Sequence, residues 1–462
     1  MSAYEEYGKA EFGDKRLSDR LKRSLDQLAG NPSASISAAC RDPHQAKAVY
    51  RLVGNDDVTV EVITKITHDV TIKNIQEACP PLVLIVQDTT ELNYSNLEAT
   101  EGLGSISGRK TARGMEVHSA LAVSEEGEVF GLLAQKLWTR PPEEFGQSTP
   151  AHCKELPIEE KESYKWLETM DSAGAGFPKG VRAVHVCDRE GDIFELFCKA
   201  ERDCALYLCR KSFDRKVEEG NGVKKLDELM NSCPEAGRIK IHVPRDSHTH
   251  RKERDAEAVI KYGACKIAKP QPLAKREELP ESIEIHFVTA EEVNPPEGQE
   301  KLFWHLITNM PTESFEDALL RIQWYTQRWK IELFHRTLKD GCKVEELQSE
   351  SAVKLQKLVA IYSIIALQIM FLTYLARAYP NETCEICFTE DEWKILYRVA
   401  NKTREVPEKP PSIHEAVVMI AKLGGFLGRK SDGFPGVKVT WRGLTSLYTI
   451  LEAIPFLSAT NL

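Results

Sequence analysis

What this sequence lacks narrows its function. The opening stretch, Met1 to Ala10, is polar and acidic, so no secretory signal is expected there. There are 12 cysteines, and only Cys384 and Cys387 form a CxxC pair. One such pair is weak evidence for zinc, and packed thiols are the competing reading. Reduced thiols in a cytoplasmic setting are expected. Long apolar runs are scarce too. Leu358 to Ala376 is long enough for a bilayer, but it carries Ser363, Gln368 and Thr373 and has no partner span. A helix apolar all round also suits a protein core, so no membrane partner is expected. Finally, a basic excess is missing, because the formal net charge is −9. That speaks mildly against a nucleic-acid partner, but binding depends on where the basic groups cluster.

The chain has 462 residues, 42% of them hydrophobic, which suits two to four domains with real cores. Residues 1 to about 70 read as helical. Asp14 can cap a helix through Leu17, Leu21, Leu25 and Leu28, with Arg16, Arg20 and Arg23 on a neighbouring face. A second helix, from about Pro43 to Val53, carries His44, Gln45, Lys47 and Arg51. Between Gly8 and Arg51, nine Lys or Arg face five Asp or Glu, so an acidic chain begins with a basic block. A DNA-binding module and an ordinary solvated helix face both fit these residues.

Strands and helices then alternate. Leu82 to Val86 is a continuous apolar run, as in a central strand buried on both faces, and Val181 to Cys187 is expected to be another central strand. Glu116 to Val123 and Val129 to Trp138 flank a hairpin signal at residues 124–127. A helix is expected from about Ile193, with Asp192 and Glu195 spaced as its capping box. From about 205 to 307, short strand patterns suggest an inserted β region, including Ile239–Val243, Ala256–Tyr262, Ala264–Ile267 and Ile283–Val288. Long helices return from about Ser314.

Asp88 and Asp188 stand at the carboxyl ends of the two central runs. Open α/β sheets bind ligands outside such strand ends. Two carboxylates there would repel unless a cation neutralised them, and Mg²⁺ is the natural candidate. A third carboxylate, Glu332, lies on a predicted helix with Tyr325, Arg328 and Lys339. At about 100° per residue these four share an arc of roughly 60°. Such a stripe suits a phosphate backbone meeting a metal site, although Arg328–Glu332 is also an ordinary i,i+4 ion pair.

The spacing Tyr325-x2-Arg328-x3-Glu332-x6-Lys339 resembles the Y-R-E-K signature of bacterial insertion-sequence transposases of the DDE type. Residues 13–16 and 48–51 are similar to that family's DNA-end-binding domain. Residues 87–90 and 187–190 look like its two Asp motifs, and residues 113–119 like a strand between them. Residues 423–444 resemble its dimerisation domain. A family member carries Ala where Gly191 stands, which bears on the start of the following helix.

The resemblance implies an α/β fold with a ribonuclease-H-like catalytic core and an inserted β region. It places a helical DNA-end-binding domain at 1–70, the catalytic domain at 71–375 with its insertion at about 205–307, and a helical dimerisation domain at 376–462. Asp88, Asp188 and Glu332 would hold two Mg²⁺ ions, with Mn²⁺ able to substitute. Tyr325, Arg328 and Lys339 would contact transposon-end phosphates, and Trp304 would stack on a flipped base. Arg210, Lys47 and Arg51 are further candidate DNA contacts. The implied protein is a cut-and-paste transposase of the bacterial cytoplasm and nucleoid. It would bind transposon-end and target DNA and act as a homodimer. A non-catalytic DNA-binding relative and a ribonuclease-H-like nuclease without strand transfer are the alternatives.

Overall fold

A computed structural model describes residues 4–40, 42–140, 156–219, 222–243, 253–429 and 432–458. Helix α1 (Lys15–Gly30) starts where the Asp14 carboxylate accepts from the Arg16 backbone N–H, and it buries Leu21, Leu25 and Leu28. A short α2 (Ile36–Ala39) leads into α3 (Pro43–Val53), which is capped by Asp42 and has Pro43 in its first turn. Helix α4 (Val60–Ala78) runs across residue 70, so the expected domain boundary falls inside a helix. Its polar residues tie it both to the N-terminal segment, where Lys73 Nζ donates to Glu6 Oε1 at 3.0 Å, and to the sheet. Thr71 Oγ1 donates to the Leu132 carbonyl and Asn74 Nδ2 to that of Phe130, both at 2.9 Å.

The central sheet follows the apolar runs. Strands β1 (Leu82–Asn93), β2 (Gly104–Ile106), β3 (Arg109–Val123) and β4 (Val129–Trp138) come first. Helix α5 (Lys165–Gly174), β5 (Arg182–Cys187), α6 (Phe194–Arg202) and β6 (Leu206–Arg210) follow. Neighbouring strands run β4-β3-β1-β5-β6. The first three are antiparallel, and β1, β5 and β6 are parallel.

The β region is not a separate body. It comprises β7 (Lys216–Glu219), β8 (Gly222–Lys225), helix α7 (Leu226–Ser232), β9 (Gly237–Val243), β10 (Arg254–Ala268), β11 (Ser282–Glu292) and β12 (Phe303–Thr308). Strand β12 pairs with β6, β11 with β12 and β10 with β11, which prolongs the central sheet to 12 strands. The two strands expected at 256–262 and 264–267 are one strand, β10. Gly263 does not break it. A Cβ there would lie 2.7 Å from Phe287 Cζ, so the glycine makes room for a ring on β11.

The C-terminal part is helical: α8 (Phe315–Thr326), α9 (Trp329–Arg336), a π-helical turn at Thr337–Gly341, α10 (Ala352–Ala378), α11 (Glu390–Asn401), α12 (Ile413–Leu423) and α13 (Val437–Ser458). The 27-residue α10 is long and apolar enough to cross a membrane, yet 78% of its most apolar window is buried inside the protein. It also spans residue 375, so the second expected boundary again falls inside a helix. One hydrophobic core joins the N-terminal helices, the sheet, α10 and the C-terminal helices.

Candidate active site

The parallel pairing of β1 and β5 sets Val86 opposite Val186, so residues 88 and 188 lie at the same level. Asp188 stands just past the end of β5, whereas Asp88 is not at a strand end as expected but within β1, opposite Ser119 of β3, because β1 continues to Asn93 on its antiparallel partner. Asp188 then caps a short 3-10 turn, its Oδ1 accepting from the Glu190 N–H at 2.8 Å. Asp88 Oδ1 accepts from the Thr89 N–H, also at 2.8 Å. Behind Asp88 a buried polar chain crosses three strands. Thr89 Oγ1 meets His118 Nδ1 at 2.9 Å, His118 Nε2 meets Gln87 Oε1 at 3.3 Å, and Gln87 Nε2 meets His185 Nδ1 at 3.0 Å. Burial holds both histidines neutral, with His185 pushed down to about 4. The chain braces β1, β3 and β5 where the carboxylates emerge.

Glu332 lies in the first turn of α9. Arg328 stands between it and the sheet. Its Nη1 is 3.1 Å from Asp88 Oδ2, and its Nη2 forms an ion pair with Glu332 Oε1. All three side chains are largely shielded from solvent. Arg328–Glu332 is therefore not a simple surface i,i+4 pair, because the guanidinium is shared with the Asp88 carboxylate on β1. Burial pushes Asp88 up to about 6; Arg328 opposes the shift, while Asp188 and Glu332 add to it. Burial raises Asp188 as well. Burial disfavours charge on Arg328, but Tyr325, Glu332 and Asp88 outweigh it and keep it protonated.

The helix carrying these residues is not continuous. At Gln327, Arg328, Lys330 and Ile331 each N–H bonds three residues back, as in a 3-10 turn, and Lys339 sits in the π-helical turn. A uniform advance per residue therefore fails at both ends of the stripe. Tyr325, Arg328 and Glu332 still share one side, with Arg328 6.0 Å from the Tyr325 ring centre. Lys339 lies near Glu91, whose acidity it strengthens.

Trp304 on β12 has its ring centre 6.3 Å from that of Tyr325. At the end of β6, Arg210 Nη2 donates to the Phe303 carbonyl at 3.1 Å. Sequence reading missed two residues here: Arg189, beside Asp188, lies 5.6 Å from the ring centre of the exposed Phe303. The only signal was Arg189's place in the Asp188 motif. Lys47 and Arg51 are exposed one turn apart on α3. Among the described residues, no ion pair, hydrogen bond or ring contact links them to the carboxylates.

Two expectations need correction. Asp192 does not cap α6; Ile193 holds that position without a side-chain bond. Asp192 instead pairs with Arg215 and accepts from the N–H groups of Ser212 and Phe213. Gly191 serves packing rather than helix-start flexibility, since a Cβ there would lie 2.5 Å from that of Cys187.

The donor set suits a hard divalent cation, being partly buried carboxylate oxygens. As the side chains stand, no group of three Asp, Glu, His or Cys among the described residues is arranged to hold an ion. The guanidinium of Arg328 takes the cation's part between Asp88 and Glu332.

Aspartates on and just beyond adjacent parallel strands of a mixed sheet, under a helix with its own carboxylate and arginine, fit the class of enzymes that cut phosphodiesters. Family comparison makes the class specific. A transposase DDE domain model matches residues 200–368, a transposase DNA-binding model residues 2–58, and a transposase Tn5 dimerisation domain model residues 364–459. The chain thus carries Tn5-type transposase domains in order, and it is a metal-dependent, DNA-cleaving DDE transposase. The matched DDE segment contains Glu332 and begins after Asp188. Among solved structures, a cryo-EM structure titled as a piggyBac transposase synaptic complex with hairpin DNA aligns over 99% of this chain and 78% of its own. The two share 8% sequence identity at a TM-score of 0.34.

Proposed function

We propose that this enzyme is a cut-and-paste transposase of the Y-R-E-K type with a ribonuclease-H-like core, and that Asp88, Asp188 and Glu332 are its catalytic carboxylates. The observation that carries the reading is the meeting of Asp88 and Glu332 on Arg328, with Asp188 level on the adjacent strand. The sheet order β4-β3-β1-β5-β6 supports the ribonuclease-H-like assignment.

The three carboxylates would hold two Mg²⁺ ions, or Mn²⁺ in their place. When bound, such ions make water acidic enough to attack and stabilise the departing oxygen. The protein's own groups bind and orient the DNA. Arg328 offers a fork to phosphate, while Lys339 and Arg210 add positive charge and Tyr325 a hydroxyl. Trp304 offers its ring to a base drawn out of the helix. On α3, Lys47 and Arg51 face the terminal inverted repeat.

Water attacks a phosphate at the transposon end, and the bond to the 3′ oxygen breaks. The freed 3′-hydroxyl attacks the opposite strand, closing a hairpin and releasing the flanking DNA. A second water reopens the hairpin. The two 3′ ends then attack target phosphodiesters, each displacing a 3′ oxygen. Two protomers pair the two ends, in keeping with the symmetry of a homodimer. The work is done at the nucleoid in the bacterial cytoplasm, with no membrane partner.

The test is to incubate the protein and Mg²⁺ with labelled DNA carrying the element's ends, together with a target plasmid. Nicks, hairpins and joined products are expected in that order. Nicks without joining would mark a nuclease, and binding without nicks a non-catalytic DNA-binding protein.

A further inference from the structure

We infer that Arg328 and a divalent cation compete for the same carboxylates, so that Arg328 determines when the metal site can load. The inference rests on the catalytic reading of Asp88 and Glu332. One guanidinium uses two of its nitrogens on two different acids, Nη1 on Asp88 Oδ2 and Nη2 on Glu332 Oε1. Both oxygens are the kind a hard cation needs, and a guanidinium cannot give up its charge to make room. The pairs are sheltered, with side-chain exposures of 18% for Arg328 and 19% for Asp88, so solvent screens them poorly. Of the other oxygens, Asp88 Oδ1 is taken by the Thr89 N–H and Asp188 Oδ1 by the Glu190 N–H. Arg328 therefore offsets part of the cluster's negative charge and blocks its convergence at once.

The arginine needs somewhere to go. Guanidinium groups bind phosphate oxygens in the same forked manner as carboxylates. A DNA phosphate arriving beside Tyr325 and Arg210 offers Arg328 an alternative anion. Its departure then frees one oxygen each of Asp88 and Glu332. Metal loading becomes dependent on DNA, and the protein without DNA is kept from indiscriminate phosphodiester hydrolysis. Arg328 thus acts as a specificity determinant in addition to holding phosphate.

The experiment titrates Mn²⁺ alone into the full chain without DNA, reading bound ion by loss of the free-ion electron paramagnetic resonance signal. Native protein, Arg328→Gln, Arg328→Lys, Glu332→Gln and the double variant Arg328→Gln/Glu332→Gln are compared, with circular dichroism confirming that each is folded. Arg328→Gln is expected to bind Mn²⁺ about tenfold more tightly than native, the scale of one lost charged hydrogen bond. Arg328→Lys keeps the charge without the fork, so it should fall between the two, and the double variant should lose the gain. If Arg328→Gln misfolds, Arg328→Lys against native decides alone. Equal or weaker binding in the Arg328 variants, with binding still lost in Glu332→Gln, would overturn the competition while leaving the carboxylate site standing. If Glu332→Gln changes nothing in either background, the catalytic reading of Glu332 falls, and the inference with it.

Discussion

Asp192 shows how a local spacing can hide a distant partner. Its distance from Glu195 fits a capping box, yet its carboxylate turns to Arg215, and the pair is nearly sealed from solvent, with side-chain exposures of 0% and 7%. Magnitude separates the two roles. Losing a helix cap costs about 1 kcal/mol. Removing one partner of a buried ion pair leaves the other uncompensated and costs about 3–5 kcal/mol. Asp192→Ala is therefore expected to lower the free energy of urea unfolding by about 3–5 kcal/mol. A loss near that of a cap would contradict the structural role assigned here. The same logic explains what could be read at the carboxylates. The ends of two apolar runs marked Asp88 and Asp188 because burial patterns are local, although β1 itself continues past Asp88 to Asn93. The sharing of Arg328 between Asp88 and Glu332 was invisible, because it joins residues 240 positions apart.

Whole elements were legible where periodicity was regular and failed where backbone geometry changed. Helix α3 was expected from about Pro43 to Val53 and has those bounds, since Asp42 and Pro43 set its start. The helix through Tyr325 and Lys339 was read as one rod, yet it tightens to 3-10 bonding near Arg328 and loosens to a π turn near Lys339. Nothing in side-chain periodicity encodes either change. The motifs around Leu423 and Trp441 also take on physical meaning. An added Cβ on Gly443 would lie 1.8 Å from the Ile420 carbonyl oxygen, and one on Gly424 would lie 1.9 Å from that of Val439. The two glycines let α12 and α13 touch backbone to backbone. Gly443→Ala must force these helices apart, and overpacking of this kind costs about 1–3 kcal/mol. A lowered melting temperature in calorimetry is expected, and an unchanged one would mean the helices part without strain.

At the scale of the molecule, the catalytic sheet and the β region form one continuous surface of strands rather than a core with an appendage. The domain edges expected at 70 and 375 fall inside α4 and α10, which serve two neighbours at once. Each helix packs into the sheet while continuing the helical region beside it, so composition does not shift where the function does. An acidic chain can still work on DNA, because its cations gather near the site, with Arg189, Arg210 and Arg328 around Asp88 and Asp188. The central claim is that three carboxylates from distant elements form one catalytic site. The most direct measurement is cleavage of labelled DNA carrying the element's own ends, with Mg²⁺ or Mn²⁺, by the native protein and by Glu332→Gln. End-specific nicking in the native protein, reduced at least about a thousandfold in the variant while DNA binding persists, is the predicted result. Equal cleavage by both would contradict the account, since the third carboxylate would then lie elsewhere.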